Sequence, residues 1–305
     1  MKAIKYIASL LAGITLFSCD NFEDINTNPD SVTKVSPKLL ATGAIVGLMK
    51  PSKGKDFIYN QMTCKYIGWS EALEGTQYNN FGRESFSGYT SLTNYKLMAE
   101  LTDKDETMNE DKRNAYKGLA LFLKAYRLFE YTLNVGDIPY EGILEGKEGN
   151  LTVAYNTQED VFKFLLNDLD KAHEYFRNAN QTTFDGDPIF GGKVEQWHRV
   201  SNALELRVLI NLSKKINSTD INIKSKFNEI LDRNLLLRSN ADNLQITFST
   251  KEGQLYPFNE SLHSYKQYVM ISGLVIDALK ANEDYRLFYY ANPSEGKLNL
   301  SLIHI

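Results

Sequence analysis

Cysteine is almost absent from this chain, which has only Cys19 and Cys64 among its 305 residues. A framework of several disulfides is therefore excluded. If Cys19 is modified, as argued below, Cys64 has no second thiol with which to pair. The fold must then rest on apolar packing, for which the 43% hydrophobic content is ample.

An excess of positive charge is also missing. The chain has 34 lysine and arginine residues against 38 acidic residues, and loss of Lys2 and Lys5 with a leader leaves 32 against 38. Nucleic-acid binding depends on a clustered basic face that neutralises phosphates. The composition therefore predicts no nucleic-acid partner.

No uncharged apolar run reaches the roughly 20 residues that a membrane-spanning helix needs. The longest such run, Tyr6–Phe17, follows Lys2 and Lys5 and ends at the small residue Ser18. This is the pattern of a secretory signal. We predict that residues 1–18 are a signal peptide and that the remaining chain is exported.

Cys19 follows this signal directly. Leu16, Ser18 and Cys19 resemble a bacterial lipobox, although Phe17 is bulkier than that pattern prefers. In a lipobox the thiol receives diacylglycerol, the signal is cut before the cysteine, and the new amino group is acylated, for example with palmitate. Since each buried methylene contributes about 0.8 kcal/mol, several acyl chains hold a protein on a bilayer. We predict that Cys19 is lipidated and that the polar residues 19–35 form a tether. The alternative is an ordinary cleaved signal with an unmodified cysteine.

The common catalytic motifs are missing as well. The chain contains no G-x-S-x-G, G-x-x-x-x-G-K-[ST], G-x-G-x-x-G or H-E-x-x-H sequence. A glycosidase needs only two carboxylates at a suitable separation, so a lipid-anchored glycosidase stays open as an alternative. The leading prediction is a protein with no catalytic residues and no cofactor.

Two acid–histidine pairs are the only metal-like pattern that we single out. Asp170-x-x-His173 and Glu195-x-x-His198 place an acid and an imidazole one helical turn apart, as in di-iron bundles. Such sites also need two further bridging acids, and His198 is followed by the cationic Arg199. We predict no metal site and assign both histidines to solvent-facing or core-edge positions.

Apolar residues recur at spacings of three and four, which predicts a mainly α-helical body with little strand. Helices are expected at residues 36–50, 55–74, 111–133, from 157 onward, from 193 onward, 223–233 and 263–280. Only Leu244–Phe248 alternates like a strand. The hairpin-like spacing suggests tetratricopeptide-like helical packing, although no clean 34-residue period is present.

Long connecting segments, including 75–88, 136–156 and 182–192, favour a binding surface. Sugars present apolar C–H faces and many hydroxyls, so they suit aromatic rings beside Asn, Gln, Asp or Arg side chains. Stretches 69–83 and 254–259 contain both kinds of residue. The candidate ligand contacts are Trp69, Tyr78, Asn79, Asn80, Arg83, Tyr256 and Asn259. For each aromatic residue the alternative is a core position.

Four segments in order carry a family resemblance. They are CDNFEDINTNPD at 19–30, VGDIPY at 135–140, YNTQEDV at 155–161 leading to Asp168-Leu169, and DPIFGG at 187–192 followed by Trp197. Together they resemble the SusD/RagB family of Bacteroidetes outer-membrane lipoproteins. The resemblance implies a helical fold with tetratricopeptide-like hairpins. It also implies capture of oligosaccharides, or peptides in some members, for a SusC-like TonB-dependent transporter.

The end of the chain departs from that family. Members continue well beyond the segment that resembles residues 284–288, and residues 300–305 equal the translation of a transposon-end adapter. We therefore expect a SusD-like domain at residues 36–299 that is incomplete at its C-terminus, followed by six residues of artefact.

The function expected from these observations is that of a non-enzymatic, lipid-anchored outer-membrane protein that faces the cell exterior and binds oligosaccharide. The alternatives are a peptide-binding member of the same family, the glycosidase, and a helical scaffold that binds only protein partners.

Overall fold

A computed structural model describes residues 35–50, 58–69, 83, 85–179, 182–257, 259, 269–293 and 303–304. The described residues from 37 onward belong to one compact unit. The predicted signal peptide, Cys19 and nearly all of the predicted tether lie outside the described residues.

The described elements are mostly helices. In chain order they are α1 (Pro37–Met49), α2 (Tyr59–Thr63), β1 (Ile67–Trp69), α3 (Thr90–Lys104), α4 (Glu110–Val135), α5 (Gln158–Asn178), α6 (Val194–Asn211), α7 (Ile223–Asp232), β2 (Val269–Ile271), α8 (Gly273–Ala281), α9 (Leu287–Tyr290), β3 (Asn292–Pro293) and β4 (Ile303–His304). Short 3₁₀ turns lie at Phe86–Tyr89, Gly146–Glu148, Ser213–Lys215 and Asn240–Asp242. The mainly helical prediction is confirmed. Among the described helices, none combines the length and apolarity that crossing a bilayer requires.

The centre of the helical body is α4, which packs against α1, α3, α5 and α6. Its three-and-four apolar spacing lets it bury residues on several sides, including Leu119, Phe122 and Phe129. Trp197 from α6 meets Phe122 edge to face, with ring centroids 5.6 Å apart. One continuous apolar core therefore joins α1 and α3 to α7.

Local signals fix where the longest helices begin and end. Asn109 caps α4 by accepting from the backbone N–H of Lys112 at 2.9 Å, and Gly136, at φ 84°, terminates it. Thr157 caps α5 through the N–H of Asp160, whose carboxylate accepts from the Thr157 hydroxyl at 2.7 Å. These caps explain why the helices predicted from residues 111 and 157 are found within one residue of their expected starts.

Three element predictions are wrong. The helix predicted at 55–74 is replaced, over its described part, by the one-turn helix α2 and the strand β1, because the chain turns at Lys65 with φ 62°. Leu244–Phe248 forms no strand, since no described segment pairs with it. Within the predicted helix 263–280, the described part begins with β2 before α8. The long helix α3 is not anticipated by the sequence analysis.

A small antiparallel sheet lies beside the helices, with strand order β1-β2-β4-β3. Its register pairs Ile67 with Ile271 and Trp69 with Val269. Because these strands have only two or three residues, they show no alternation that a sequence pattern can detect. Two small apolar clusters flank the sheet, one around Trp69 and Val269 and one around Ile271 and Ile276.

Candidate functional site

The β1–β2 pair connects the start of one predicted binding stretch with a strand that follows the other stretch along the chain. Trp69 ends β1 and lies opposite Val269, which begins β2. Residues 70–83 continue from Trp69, and residues 254–268 lead into Val269. Antiparallel pairing places the end of one strand beside the start of its partner. The ladder therefore places Trp69, where the first predicted stretch begins, opposite Val269, which comes ten residues after the second stretch ends at Asn259. We call the Trp69–Val269 pair the ladder end.

Trp69 supports the ladder end from within, because only 7% of its surface is exposed. It packs with Ile58, Met62 and Val269. A ring that stacks on sugar needs an open face, which this buried indole lacks. We therefore revise its expected role from a stacking platform to a residue that fixes the position of the ladder end.

Tyr256 has the exposure that Trp69 lacks, with 48% of its surface open to solvent. Its ring meets Phe248 edge to face at 5.2 Å between centroids. The backbone N–H of Asn259 donates to the Tyr256 carbonyl at 2.8 Å, and the N–H of Ser249 donates to the Gln254 carbonyl at 2.8 Å. These contacts hold Tyr256 on a compact turn while leaving ring surface available.

The sequence analysis missed two further exposed tyrosines close to β1. Tyr59 and Tyr66 lie within the predicted helix 55–74, and both are exposed in the structure. The Tyr66 carbonyl accepts from the backbone N–H of Ser272 at 2.8 Å, which extends the β1–β2 pairing by one step. Gly68 inside the predicted helix was the available signal, since glycine lowers helix propensity.

The remaining candidate contacts fall into two groups. Arg83 is exposed, as a guanidinium that reaches for sugar hydroxyls should be. Tyr78, Asn79 and Asn80 lie outside the described residues, so their roles stay predictions. The same holds for the lipidation of Cys19.

A cavity of about 410 Å³ opens between α4, α5 and the segment after α4, and three of its polar residues, Lys124, Tyr140 and Asp168, are paired with one another. Asp168 accepts from the Lys124 ammonium at 2.9 Å and from the Tyr140 hydroxyl at 2.7 Å. Burial, together with the Asp168 charge, raises the pKa of Tyr140 well above its ordinary value. Tyr140 therefore stays protonated and donates its hydrogen bond to Asp168 inside the fold. This contact gives the last residue of the VGDIPY segment a structural role.

The acidic residues that come closest to a glycosidase-like pair are engaged by cations. Arg233 donates to Glu205 at 2.7 Å and to Asp170 at 3.1 Å, and Lys226 also pairs with Asp170. Glu205 is fully buried, and this burial raises its pKa to about 7. Arg233 and Lys226 therefore bridge the two carboxylates. This argues for a structural network between α5, α6 and α7.

The two histidines of the acid–histidine pattern do meet. Nε2 of His198 lies 2.6 Å from Nδ1 of His173. Their acidic partners point elsewhere, Glu195 to Arg199 and Asp170 to Lys226 and Arg233. Burial, then His173 and nearby arginines, lowers the pKa of His198 to about 3. Neutral imidazoles beside arginines form a hydrogen-bonded pair and a poor cation site. The described residues include no group of three metal-ligating side chains.

The described residues form a mainly helical body with a small antiparallel sheet. The sequence profile of SusD-like proteins, described as "Starch-binding associating with outer membrane", matches residues 29–301. The chain belongs to this SusD-like family. Proteins of this kind are binding proteins without enzymatic activity.

Solved structures agree with this assignment. A SusD homolog from Bacteroides fragilis NCTC 9343 shares 42% identity, with a TM-score of 0.79 over 87% of this chain and 54% of its own. A Bacteroides vulgatus ATCC 8482 outer-membrane protein whose name links it to nutrient binding shares 27% identity, with a TM-score of 0.72 over 85% of this chain and 54% of its own. A chitin-binding protein has the same fold, at 22% identity and a TM-score of 0.62 over 87% of this chain and 56% of its own. No curated protein sequence matches the chain. The chain thus spans about half the length of these solved relatives.

Proposed function

We propose that this protein is a lipid-anchored outer-membrane receptor that binds oligosaccharides and delivers them to a SusC-like TonB-dependent transporter. The observation that supports the proposal is the exposed ring of Tyr256, held on a compact turn next to the polar residue Asn259 within one of the two predicted stretches. Family membership supports the glycan as ligand, since the family description names starch and one relative is named for chitin.

Binding at such a site requires no chemistry. The apolar C–H faces of a pyranose lose water against an exposed tyrosine ring, and the sugar hydroxyls exchange hydrogen bonds with polar side chains. Tyr256 supplies the ring, and Asn259 and Arg83 are the nearest described polar candidates of the two stretches. The ligand leaves the site unchanged for transport.

Replacing Tyr256 with alanine should weaken glycan binding about tenfold, which corresponds to about 1.4 kcal/mol. The exposed ring contributes stacking area, and its loss should not disturb the buried core. Binding of maltoheptaose and chitohexaose is measured by tryptophan fluorescence. Tyr285→Ala is the matched control, because Tyr285 is 83% exposed and lies outside both stretches. Equal affinities for the two variants would remove Tyr256 from the site.

The lipid anchor is part of the proposal. Radiolabelled palmitate should enter the wild-type protein and the Cys64→Ala variant, but not Cys19→Ala, because the acyl chains are attached through residue 19. The Cys19→Ala variant should also leave the membrane fraction. Equal labelling of both variants would contradict the anchor.

The delivery step predicts a physical partner. Cross-linking in native outer membranes should recover a TonB-dependent transporter with the receptor. Recovery of no transporter would contradict the delivery step.

Peptide capture is the second candidate function, since the exposed tyrosines at the ladder end also suit an extended peptide. Competition between maltoheptaose and a mixed peptide pool separates the two ligands.

A further inference from the structure

An aromatic cluster follows the first predicted binding stretch along the chain, three residues after Arg83. Phe86 stacks on Tyr131 with ring centroids 5.6 Å apart and planes inclined by 13°. Tyr89 meets both rings at 5.2–5.3 Å, and Tyr155 meets Phe86 edge to face at 6.3 Å. One aromatic surface is therefore built from three separate segments: the turn before α3, helix α4 and the extended segment before α5.

The inner part of this cluster is held rigidly. The Tyr89 hydroxyl donates to the Pro139 carbonyl at 2.9 Å, and the Tyr131 hydroxyl accepts from the backbone N–H of Gly88 at 2.9 Å. A Cβ atom at Gly88 would lie 2.4 Å from that hydroxyl, so the close approach requires glycine. The hydroxyls of Tyr89 and Tyr131 are therefore hydrogen-bonded within the protein, and the two rings form a fixed support for Phe86.

Tyr155 differs from Tyr89 and Tyr131 in its exposure to solvent. It is 62% exposed, and its hydroxyl forms no hydrogen bond with any described residue. The backbone directly after it is nevertheless pinned, since the N–H of Asn156 donates to the Ile138 carbonyl at 3.0 Å. The Asn156 side chain also accepts from the N–H groups of Tyr140 and Glu141 at 2.9 and 3.2 Å. A large ring is therefore displayed to solvent on a backbone that is tied down.

Neither packing nor internal hydrogen bonding accounts for this arrangement. An exposed aromatic ring forgoes the burial that normally stabilises it. A rigid ring with a free hydroxyl suits a ligand that has both an apolar face and hydroxyl groups, and preorganisation lowers the cost of binding. A pyranose unit has both features. Ser87 and Thr90 add exposed hydroxyl-bearing side chains on the same turn.

We propose that Tyr155, supported by Phe86, forms a second glycan platform that contacts a sugar unit of a chain extending beyond the ladder end. This inference rests on the proposed function. It adds a site, and it predicts that an oligosaccharide long enough to reach both platforms binds more tightly than a short one. Short sugars bind at the ladder end alone.

The test compares long and short probes of the same chemistry: maltoheptaose with maltotriose, and chitohexaose with chitotriose. Tyr155→Ala should raise the Kd for a long probe about tenfold and leave the Kd for its trisaccharide within twofold. Tyr155→Phe keeps the ring and should stay within about threefold of wild type for both lengths. Tyr285→Ala is the control for loss of an exposed tyrosine, and circular dichroism checks that every variant is folded.

The outcomes separate this inference from the proposed function. If Tyr256→Ala weakens binding while Tyr155→Ala has no effect on the long probes, the second platform is wrong and the receptor stands. If Tyr155→Ala weakens long and short probes equally, Tyr155 belongs to the first site and the second platform is again wrong. If the wild-type protein binds none of the four probes, both proposals fail. A length-dependent loss confined to Tyr155→Ala supports the platform.

Discussion

Replacing Asp187 with alanine is expected to lower the free energy of unfolding by about 3–4 kcal/mol, as measured by urea denaturation. The Asp187 carboxylate accepts from the backbone N–H groups of Ile189 and Gly192 at 2.8 and 2.9 Å. It also accepts from the indole N–H of the fully buried Trp197 at 2.8 Å. The alanine variant leaves these donors without an acceptor, and each buried orphan costs about 1–3 kcal/mol.

Two other substitutions sharpen this prediction. Asp187→Asn keeps one acceptor oxygen but turns an NH₂ group toward N–H donors, so its loss should be smaller than that of alanine. Asp185→Ala removes a neighbouring exposed carboxylate whose ion pair with Lys112 spans 3.5 Å. That control should change stability by about 0.5 kcal/mol or less. Equal losses at 185 and 187 would show that Asp187 does not organise the DPIFGG segment.

Replacing Arg233 with methionine should cost about 3–5 kcal/mol at pH 8, where Glu205 is mostly ionised in the wild-type protein, because it leaves this buried carboxylate with an incomplete set of partners. Arg233 donates to Glu205 at 2.7 Å, and the other carboxylate oxygen lies 3.5 Å from the Lys226 ammonium. Without the guanidinium, burial raises the pKa of Glu205 further. The folded variant then favours the protonated, neutral form of Glu205.

The pH dependence of this variant follows from the same carboxyl group. Its pKa is about 7 in the folded wild-type protein against 4.5 as the ordinary value, so the folded state binds the proton more tightly. The group therefore contributes stability that is present below pH 4.5 and is lost as the pH rises through 7. The cost of Arg233→Met should accordingly be smaller at pH 5 than at pH 8. Adding Glu205→Gln should recover most of the loss at pH 8, and a double variant no more stable than Arg233→Met would contradict the account.

The helical body could be predicted because its signals are local. The caps at Asn109 and Thr157 and the apolar spacing of α4 and α5 are written in consecutive residues. The sheet could not, since strands of two or three residues carry no period and pair residues about 200 positions apart. The helix predicted at 55–74 is interrupted at Lys65, where a positive φ turns the chain into strand β1.

The candidate site was predictable only in part. Sequence composition predicts a ligand contact at Tyr256, whose ring is exposed in the structure. The burial of Trp69 could not be predicted, because it depends on Ile58 and Val269, which come from different segments. Tyr155 was visible as one residue of a family segment. The position of the Tyr155 ring beside Phe86 depends on contacts between residues far apart in the chain, and a local sequence pattern does not contain such contacts.

The most direct test of the receptor account is calorimetric titration of the purified wild-type protein with maltoheptaose and chitohexaose, followed by chain-length analysis of the recovered sugars. The account predicts saturable binding of at least one oligosaccharide, with every recovered chain at its original length. Shortened products, or saturation by peptides with no heat from either glycan, would contradict it.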